Sequence, residues 1–485
     1  MGYPAFLRGL ACFLIVFCDA CLAISPYQHG WSAIFTAGQA GWSECQAVAV
    51  DANGWSVVAG RFLGRLTAGD IRSEGEADLF IARLDADGQC RWISRIGGPW
   101  DDTLGGICLD GEANLYVAGG FRSRLSIGTA GAMHIQDGIG MVDGLVCRFR
   151  PDGSLFWVEC IGGPGAQVLV SDICTDGSGG LYLTGYFSGT VDFDPGPGHD
   201  IKAARGYIST FVSRWDIEGN YLWTVVLGGP IYAKGGRICV TDPTGVYAGG
   251  IYNCPTDFDP GPGADPTPFH GDWDIFVTRL DDAGRYIWTR NLSGAGYDLL
   301  CDLAAGPAGQ LLVAGAFSLL VDLDPTDGED YRYCEHQCVG AGFASSWLAD
   351  GRYDWTWAVP DGQTQSAAVA VAADKMGRRY VLCEQVRAPA GISTRSSLVL
   401  SVLDPDGREV CSYSWQDLTD GVIISEDQLF WPQYWGMDIG PDRQVLIAGR
   451  FSGAVDLDPG PGSRIVTSSG QSDGFVLCLT CPPIE

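Results

Sequence analysis

The sequence predicts an all-β fold: a seven-bladed β-propeller of four-stranded blades, with the ring closed by the N-terminal strand completing the last blade. Three observations predict it. A unit recurs along the 485 residues: a D-x-x-G turn, a short apolar strand, a Gly-aromatic step, an acidic loop, a strand ending in Asp, another Gly turn, and a Trp strand closing in Gly-Gly-Pro. The tryptophans Trp92, Trp157, Trp223, Trp288 and Trp355 stand 65, 66, 65 and 67 residues apart, a period that holds four short strands and their turns, which is one blade. The last copy stops at Cys478-Leu479-Thr480-Cys481 without a Trp strand, and the missing piece stands at the other end as Trp31-Ser32-Ala33-Ile34-Phe35 followed by Gly38. A chain whose two ends complete one repeat between them reads as a closed ring.

Taken in order, residues 1–23 read as a secretory signal. Arg8 supplies the positive start, Gly9 to Phe17 the short apolar run, and Cys21-Leu22-Ala23 the small residues for cleavage near Ala23. The run is too short to span a bilayer, and no later stretch is long and apolar enough, so no transmembrane segment is expected. Residues 24–485 form one propeller domain. The N-terminal strand, 30–38, completes blade 7, and the blades span about 43–99, 100–164, 165–230, 231–294, 295–362, 363–417 and 418–481. The sixth unit is the most degenerate: Cys383 replaces a glycine, and Cys411 takes the Trp place, four residues after Gly407 as Trp355 is after Gly351.

Within a blade the inner strand ends near Asp51, Asp110, Asp176 or Asp242. A turn leads to a second strand such as Leu181-Tyr182-Leu183-Thr184-Gly185. The third strand is typified by Asp274-Ile275-Phe276-Val277-Thr278-Arg279-Leu280-Asp281. Asp and Gly suit the turns, because Asp bonds nearby backbone and Gly accepts positive φ. An arginine recurs in the third strand as Arg83, Arg148, Arg214 and Arg279; we expect it to cover a neighbouring strand and pair with a turn Asp.

The formal charge is −28, from 58 acidic against 30 basic residues. Such a surface repels nucleic acid, which excludes that class of partner, and it favours solubility outside the cell. Of 18 cysteines, three fall in the signal, and the remaining odd number cannot all pair within one chain. Cys108, Cys174 and Cys239 follow Ile107, Ile173 and Ile238 at one repeat position and read as small core residues. Cys334/Cys338 and Cys478/Cys481 are the better disulfide candidates, and the latter pair lacks the partner ligands of a zinc site.

The most specific local motif is Val191-Asp192-Phe193-Asp194-Pro195-Gly196-Pro197-Gly198. It recurs with Asp257 and Asp259, with Asp456 and Asp458, and in weaker form with Asp322 and Asp324. Each copy links the second strand to the third, so strand alternation puts these loops on one face of the disc, together with the Gly-Gly-Pro turns. The two Asp side chains of an extended Asp-x-Asp fall on one side. That leaves two readings: a Ca²⁺ site completed by backbone carbonyls, or carboxylates that cap the Pro-Gly turn by accepting N–H bonds.

The units from Gly180 to Gly196 and from Asp274 to Asp281 resemble the SBBP-type β-propeller repeat of secreted bacterial proteins, and the resemblance covers about Gly30 to Cys481. It implies seven blades, export to the exterior or the cell surface, and no defined catalytic motif, so no catalytic residues are transferred. The expected function is a non-catalytic binding or scaffolding module, a monomer, with an acidic loop face that engages a protein or glycan partner. No cofactor is expected beyond Ca²⁺. The inserts from Thr129 to Asp143 and from Asp327 to Gly342 vary where a rigid ring would present partner contacts. The rival reading is an extracellular polysaccharide hydrolase or lyase with carboxylates in the central pocket. Against it, the five histidines follow no repeat position, and no G-x-S-x-G, H-E-x-x-H or phosphate-loop motif stands in the required context.

Overall fold

Seven antiparallel four-stranded units surround a central channel in the computed structural model, which describes residues 27–129, 132–241, 245–263, 266–335, 340–359, 365–387, 395–420 and 435–480. The signal segment 1–23 and the cysteines Cys338 and Cys481 lie outside the described residues. Blade 1 is typical: Trp42–Val50 innermost, then Ser56–Leu63, Asp78–Leu84 and the outer strand Cys90–Gly97. Blade 7 is built from Gly436–Ile439, Val445–Phe451 and Asp473–Thr480, and its outer strand is Gln28–Phe35. The two chain ends pair antiparallel from Gln28 opposite Thr480 to Phe35 opposite Gly474, with one irregularity between His29 and Trp31. The ring is therefore closed by its own N-terminal strand, as expected.

The recurrent tryptophan has a repeated job. Five outer-strand indoles reach across the seam and donate to the turn between the third and outer strands of the next blade, whereas Trp288 lies against the equivalent Gly351 with its Nε1 unbonded. Trp31 Nε1 donates to Ala86 O (2.9 Å), Trp92 to Pro151 O (2.9 Å), Trp157 to Ile217 O (3.2 Å), Trp223 to Asp282 O (3.0 Å) and Trp355 to Pro405 O (3.0 Å). Each ring covers the turn glycine: Gly88, Gly153, Gly219, Gly284 and Gly407 all have positive φ, and a Cβ there would crowd the indole, below 3.0 Å at Gly88, Gly153 and Gly407.

The third-strand arginine works with it. Arg214 Nη1 donates to the same Asp282 carbonyl as Trp223 (2.7 Å), and Arg148 to the same Ile217 carbonyl as Trp157 (2.9 Å). Arg279 reaches Ala349 O in the following blade (2.6 Å). Their guanidinium groups lie over Tyr116, Tyr182 and Tyr247 at 5.3–5.6 Å. The expected pairing with a turn Asp is close only for Arg83, whose Nη2 is 2.5 Å from Asp51 Oδ2. Elsewhere the main partner is a backbone carbonyl of the neighbouring turn, which at Ile217 and Asp282 accepts from the arginine and the indole together.

This clamp explains the degenerate sixth unit. Blade 7 has no turn between its third and outer strands, because those strands are the two ends of the chain. A tryptophan at Cys411 would have nothing to cover. Tyr27 fills the position instead. Its backbone N–H donates to Tyr413 OH (2.8 Å), its hydroxyl lies 2.9 Å from that of Tyr380, and it packs edge-on against both rings.

The Gly-Gly of each Gly-Gly-Pro is equally local in cause. A Cβ on Gly97 would overlap the Asp78 carboxyl, and one on Gly162 would overlap that of Asp143. On Gly98 and Gly163 it would overlap the backbone carbonyls of Arg124 and Thr190. We expect Gly162→Val to lower stability by about 1–3 kcal/mol, read as a shift in the urea midpoint at unchanged slope. An unchanged midpoint would show that the turn has room to move.

The hydrophobic core lies in the seams. Tyr116, Ala118 and Val146 of blade 2, for example, pack on Val168, Val170 and Ile173 of blade 3. Cys108, Cys174 and Cys239 join the packing of successive seams. Cys239 is buried, whereas Cys108 and Cys174 are half-buried. No disulfide joins two of the thirteen cysteines within the described residues.

Candidate binding face

Seven inner strands present unpaired edges to the channel, and an edge N–H away from water needs an acceptor. Three carboxylates supply it. Asp172 accepts from Ile173 N and from Ile238 N of the next blade (2.9 Å each). Asp302 does the same with Leu303 N and Val371 N (2.9 Å each), and Asp438 with Ile439 N and Val50 N (2.8 Å each). Arg237 stands between Asp172 and Asp302, its Nε 2.7 Å from Cys301 O and 3.6 Å from Asp302 Oδ1. Ala47, Gly106, Ala370 and Gly436 line the same narrow channel. Burial pushes Asp172 and Asp438 up to about 6, partly offset at Asp172 by Arg237. Each oxygen of these carboxylates already holds a backbone N–H, so strand edges account for their placement.

The loops between second and third strands form short ribbons on one face. In blade 2 the ribbon is Arg124–Thr129 with Ala132–Asp137, in blade 3 Thr190–Asp192 with Ile201–Ala203, and in blade 5 Leu319–Asp322 with Tyr331–Cys334. Blade 7 has a ribbon of the same length as blade 3, and two-residue ribbons occur in blades 1 and 4. A ribbon does not stay with its own blade. Ser126, Ile127 and Gly128 pair with Gly97, Ile96 and Arg95 of blade 1, and Val321 and Asp322 pair with Gly294 and Ser293 of blade 4. Both sheets thereby grow to six strands. Sequence reasoning placed the inserts but missed this crossing, because pairing between blades leaves no mark in the repeat.

The paired aspartates sit at the ribbon tips and bond to backbone. Asp192 Oδ1 accepts from Asp194 N and Asp200 N (3.2 and 2.9 Å), and Asp194 Oδ1 from Gly196 N (2.8 Å). Asp257 and Asp259 repeat the pattern with Asp259 N and Gly261 N. Asp322 accepts from Asp324 N and Asp330 N, and Asp324 from Thr326 N. Asp456 accepts from Asp458 N and Arg464 N, and Asp458 from Gly460 N. His199 Nδ1 lies 2.6 Å from the other oxygen of Asp192. Among the described residues no group of three or more His, Cys, Asp or Glu side chains is arranged to hold a metal ion. Read as turn caps, these aspartates predict equal melting midpoints in Ca²⁺ and in excess chelator; a large Ca²⁺-dependent rise would mean the native state binds the ion.

Beneath the ribbons, carboxylates at the start of the third strands are buried. Burial outweighs the neighbouring donors and raises Asp78 to about 6, Asp274 to about 7 and Asp102, in the linker between blades 1 and 2, to about 8. A carboxyl whose folded pKa is raised contributes stability that is full below its unfolded value and lost as pH rises through the folded one. The melting midpoint should therefore fall between about pH 4 and pH 8. Asp102→Asn should flatten the upper part of that fall, since Oδ2 only accepts from Gly98 N (2.8 Å). A midpoint that rises over this range would contradict the burial.

Most of the exposed large apolar side chains belong to this face: Met133, Ile135, Ile139, Met141, Ile201, Tyr207, Leu320, Tyr331, Tyr333 and Ile465. Tyr207 stacks on Tyr232 (5.9 Å between centroids), which meets Trp273 (6.0 Å) across the seam of blades 3 and 4.

The seven blades define a propeller-repeat protein. No family model matches the chain, so the SBBP-type resemblance rests on the residues quoted above. An uncharacterised WD repeat-containing protein of Acanthamoeba polyphaga mimivirus is 26% identical over 171 residues, 33% of this chain and 12% of that protein. The chain thus spans only a small part of that relative's length. Among solved structures, a protein of unknown function from Dyadobacter fermentans has a TM-score of 0.35 at 10% identity, covering 93% of this chain and 98% of that one. The hemagglutinin-neuraminidase ectodomain of parainfluenza virus 5 has a TM-score of 0.38 at 9% identity, covering 94% and 84%. Among the described residues no helix is long and apolar enough to cross a membrane.

Proposed function

We propose that the protein is a non-catalytic binding module, exported from the cell, that holds a protein or glycan partner on its ribbon face. One observation carries this reading. Ribbons from successive blades project on the same side of the ring and leave apolar side chains such as Ile201, Tyr207, Tyr331 and Ile465 in solvent. Exposed apolar side chains gathered on one side of a rigid frame mark a contact surface. The opposite face consists of short Asp-Gly turns whose polar groups are satisfied locally, as at Asp85 and Asp281. The channel carboxylates support the non-catalytic part, since strand edges account for them.

The test compares the two faces. The purified chain is probed on arrays of glycans and of extracellular proteins, beside a ribbon-face variant (Ile201→Ser, Tyr207→Ser, Tyr331→Ser, Ile465→Ser) and a turn-face variant (Asp87→Ser, Asp282→Ser, Asp406→Ser). Binding that is lost only in the ribbon-face variant is the expected result. Binding lost only in the turn-face variant, or turnover of an arrayed glycan, would overturn the proposal.

A further inference from the structure

Resting on that reading, we propose that the blade 2 ribbon takes up an extended, basic peptide segment of a partner as an added β-strand along Ala132–Asp137. Ala132–Asp137 is the outermost strand of the six-stranded sheet, so among the described residues one of its sides has no strand partner. A free edge presents a row of backbone donors and acceptors, and proteins normally blunt it with charge, proline or cover. Here the edge residues between Ala132 and Asp137 are Met133, His134, Ile135 and Gln136, with Met133 44% and Ile135 51% exposed.

The register sorts the ribbon's two faces. Leu125 and Ile127 point into the core, fully buried. Met133 pairs with Gly128 and Ile135 with Ser126, so all four side-chain positions lie on the opposite face, beside Arg95. On that face a cavity of about 600 Å³ is lined by Gly128, Met133, Arg95, Ile71, Arg72 and Glu74, among others. Strand addition needs an edge for affinity and a pocket for alternate side chains to give specificity, and this ribbon has the two side by side. Arg95 is already neutralised by Asp78 (2.6 Å) and Glu74 (3.1 Å), so it does not make the cavity an anion site.

Charge selects the occupant. A second copy of the chain would bring another −28 against the first, whereas a basic segment is drawn in by the same field.

The probe is a nine-residue peptide of alternating Lys and Val, titrated into the full chain and into Met133→Glu/Ile135→Glu. Charge attraction alone predicts tighter binding to the variant, which is more acidic. Strand addition predicts at least tenfold weaker binding, because the apolar contacts are gone. Two further peptides carry N-methyl groups on all Val or on all Lys nitrogens. Only alternate residues of an added strand bond to the edge, so one of the two should lose binding and the other keep it. No binding of the parent peptide, unchanged or tighter binding to the variant, or equal behaviour of the two methylated peptides would overturn the proposal. So would a wild-type dimer by sedimentation that the variant abolishes. If array binding still maps to the ribbon face in that event, the strand site falls and the face reading stands.

Discussion

A chain that begins at Trp42 should lose cooperative folding of the whole ring, not of one blade. The deletion removes Gln28–Phe35 and leaves the eight residues Asp473–Thr480 as an open edge. It also removes Tyr27 and Phe35, which are 1% and 2% exposed. Burying a large apolar side chain contributes about 1.5–3 kcal/mol, and the lost edge hydrogen bonds add to that. Against a total of about 5–15 kcal/mol for a folded domain, the ring should open at much lower urea. The exposed edge should also promote aggregation. A truncated chain that melts like the longer one would show that the ends do not hold each other.

The second large effect concerns Tyr27 alone. Tyr27→Ala should cost about 3–5 kcal/mol, the range for emptying a buried aromatic site. Tyr27→Phe keeps the ring between Tyr380 and Tyr413 and should cost about 0.5–1.5 kcal/mol, one net hydrogen bond. The loss is limited because Tyr380 OH retains Asp374 Oδ2 at 3.1 Å. Urea midpoints of the two variants check this. Equal costs would mean that the hydroxyl pair, and not the packing, secures the seam between blades 6 and 7.

Much of this was legible in the sequence because it repeats. The Trp period located the outer strands, and the unmatched Trp31 located the closure. Asp51-Ala52-Asn53-Gly54 and its relatives located the turns. What one blade does to the next was not legible. Trp223 and Arg214 lie on different strands, and only the ring brings both to the Asp282 carbonyl. Cys411 read as decay of the repeat, yet it marks the one seam where the turn to be covered is missing. The channel residues escaped notice for another reason. Asp172, Arg237 and Asp302 share a position facing the axis, but the other blades carry Ala or Gly there, so no recurring residue points to it. The inner strands that carry Asp172, Arg237 and Asp302 also slip by one residue at that point, as between Val170 and Asp172, which hides the equivalence. The paired aspartates were visible at once, but their hydrogen bonds to the following turns depend on loop geometry that spacing alone does not reveal.

The central claim is a single closed ring that holds the ribbons of one face in place, and amide hydrogen exchange tests it most directly. The amides of Gln28–Phe35 and of Asp473–Thr480 should exchange together, and as slowly as those of the second strand of blade 3, Gly180–Ser188. They would then open only with the whole molecule. Fast exchange confined to the two terminal strands would contradict the account, because the ring would then be open at blade 7.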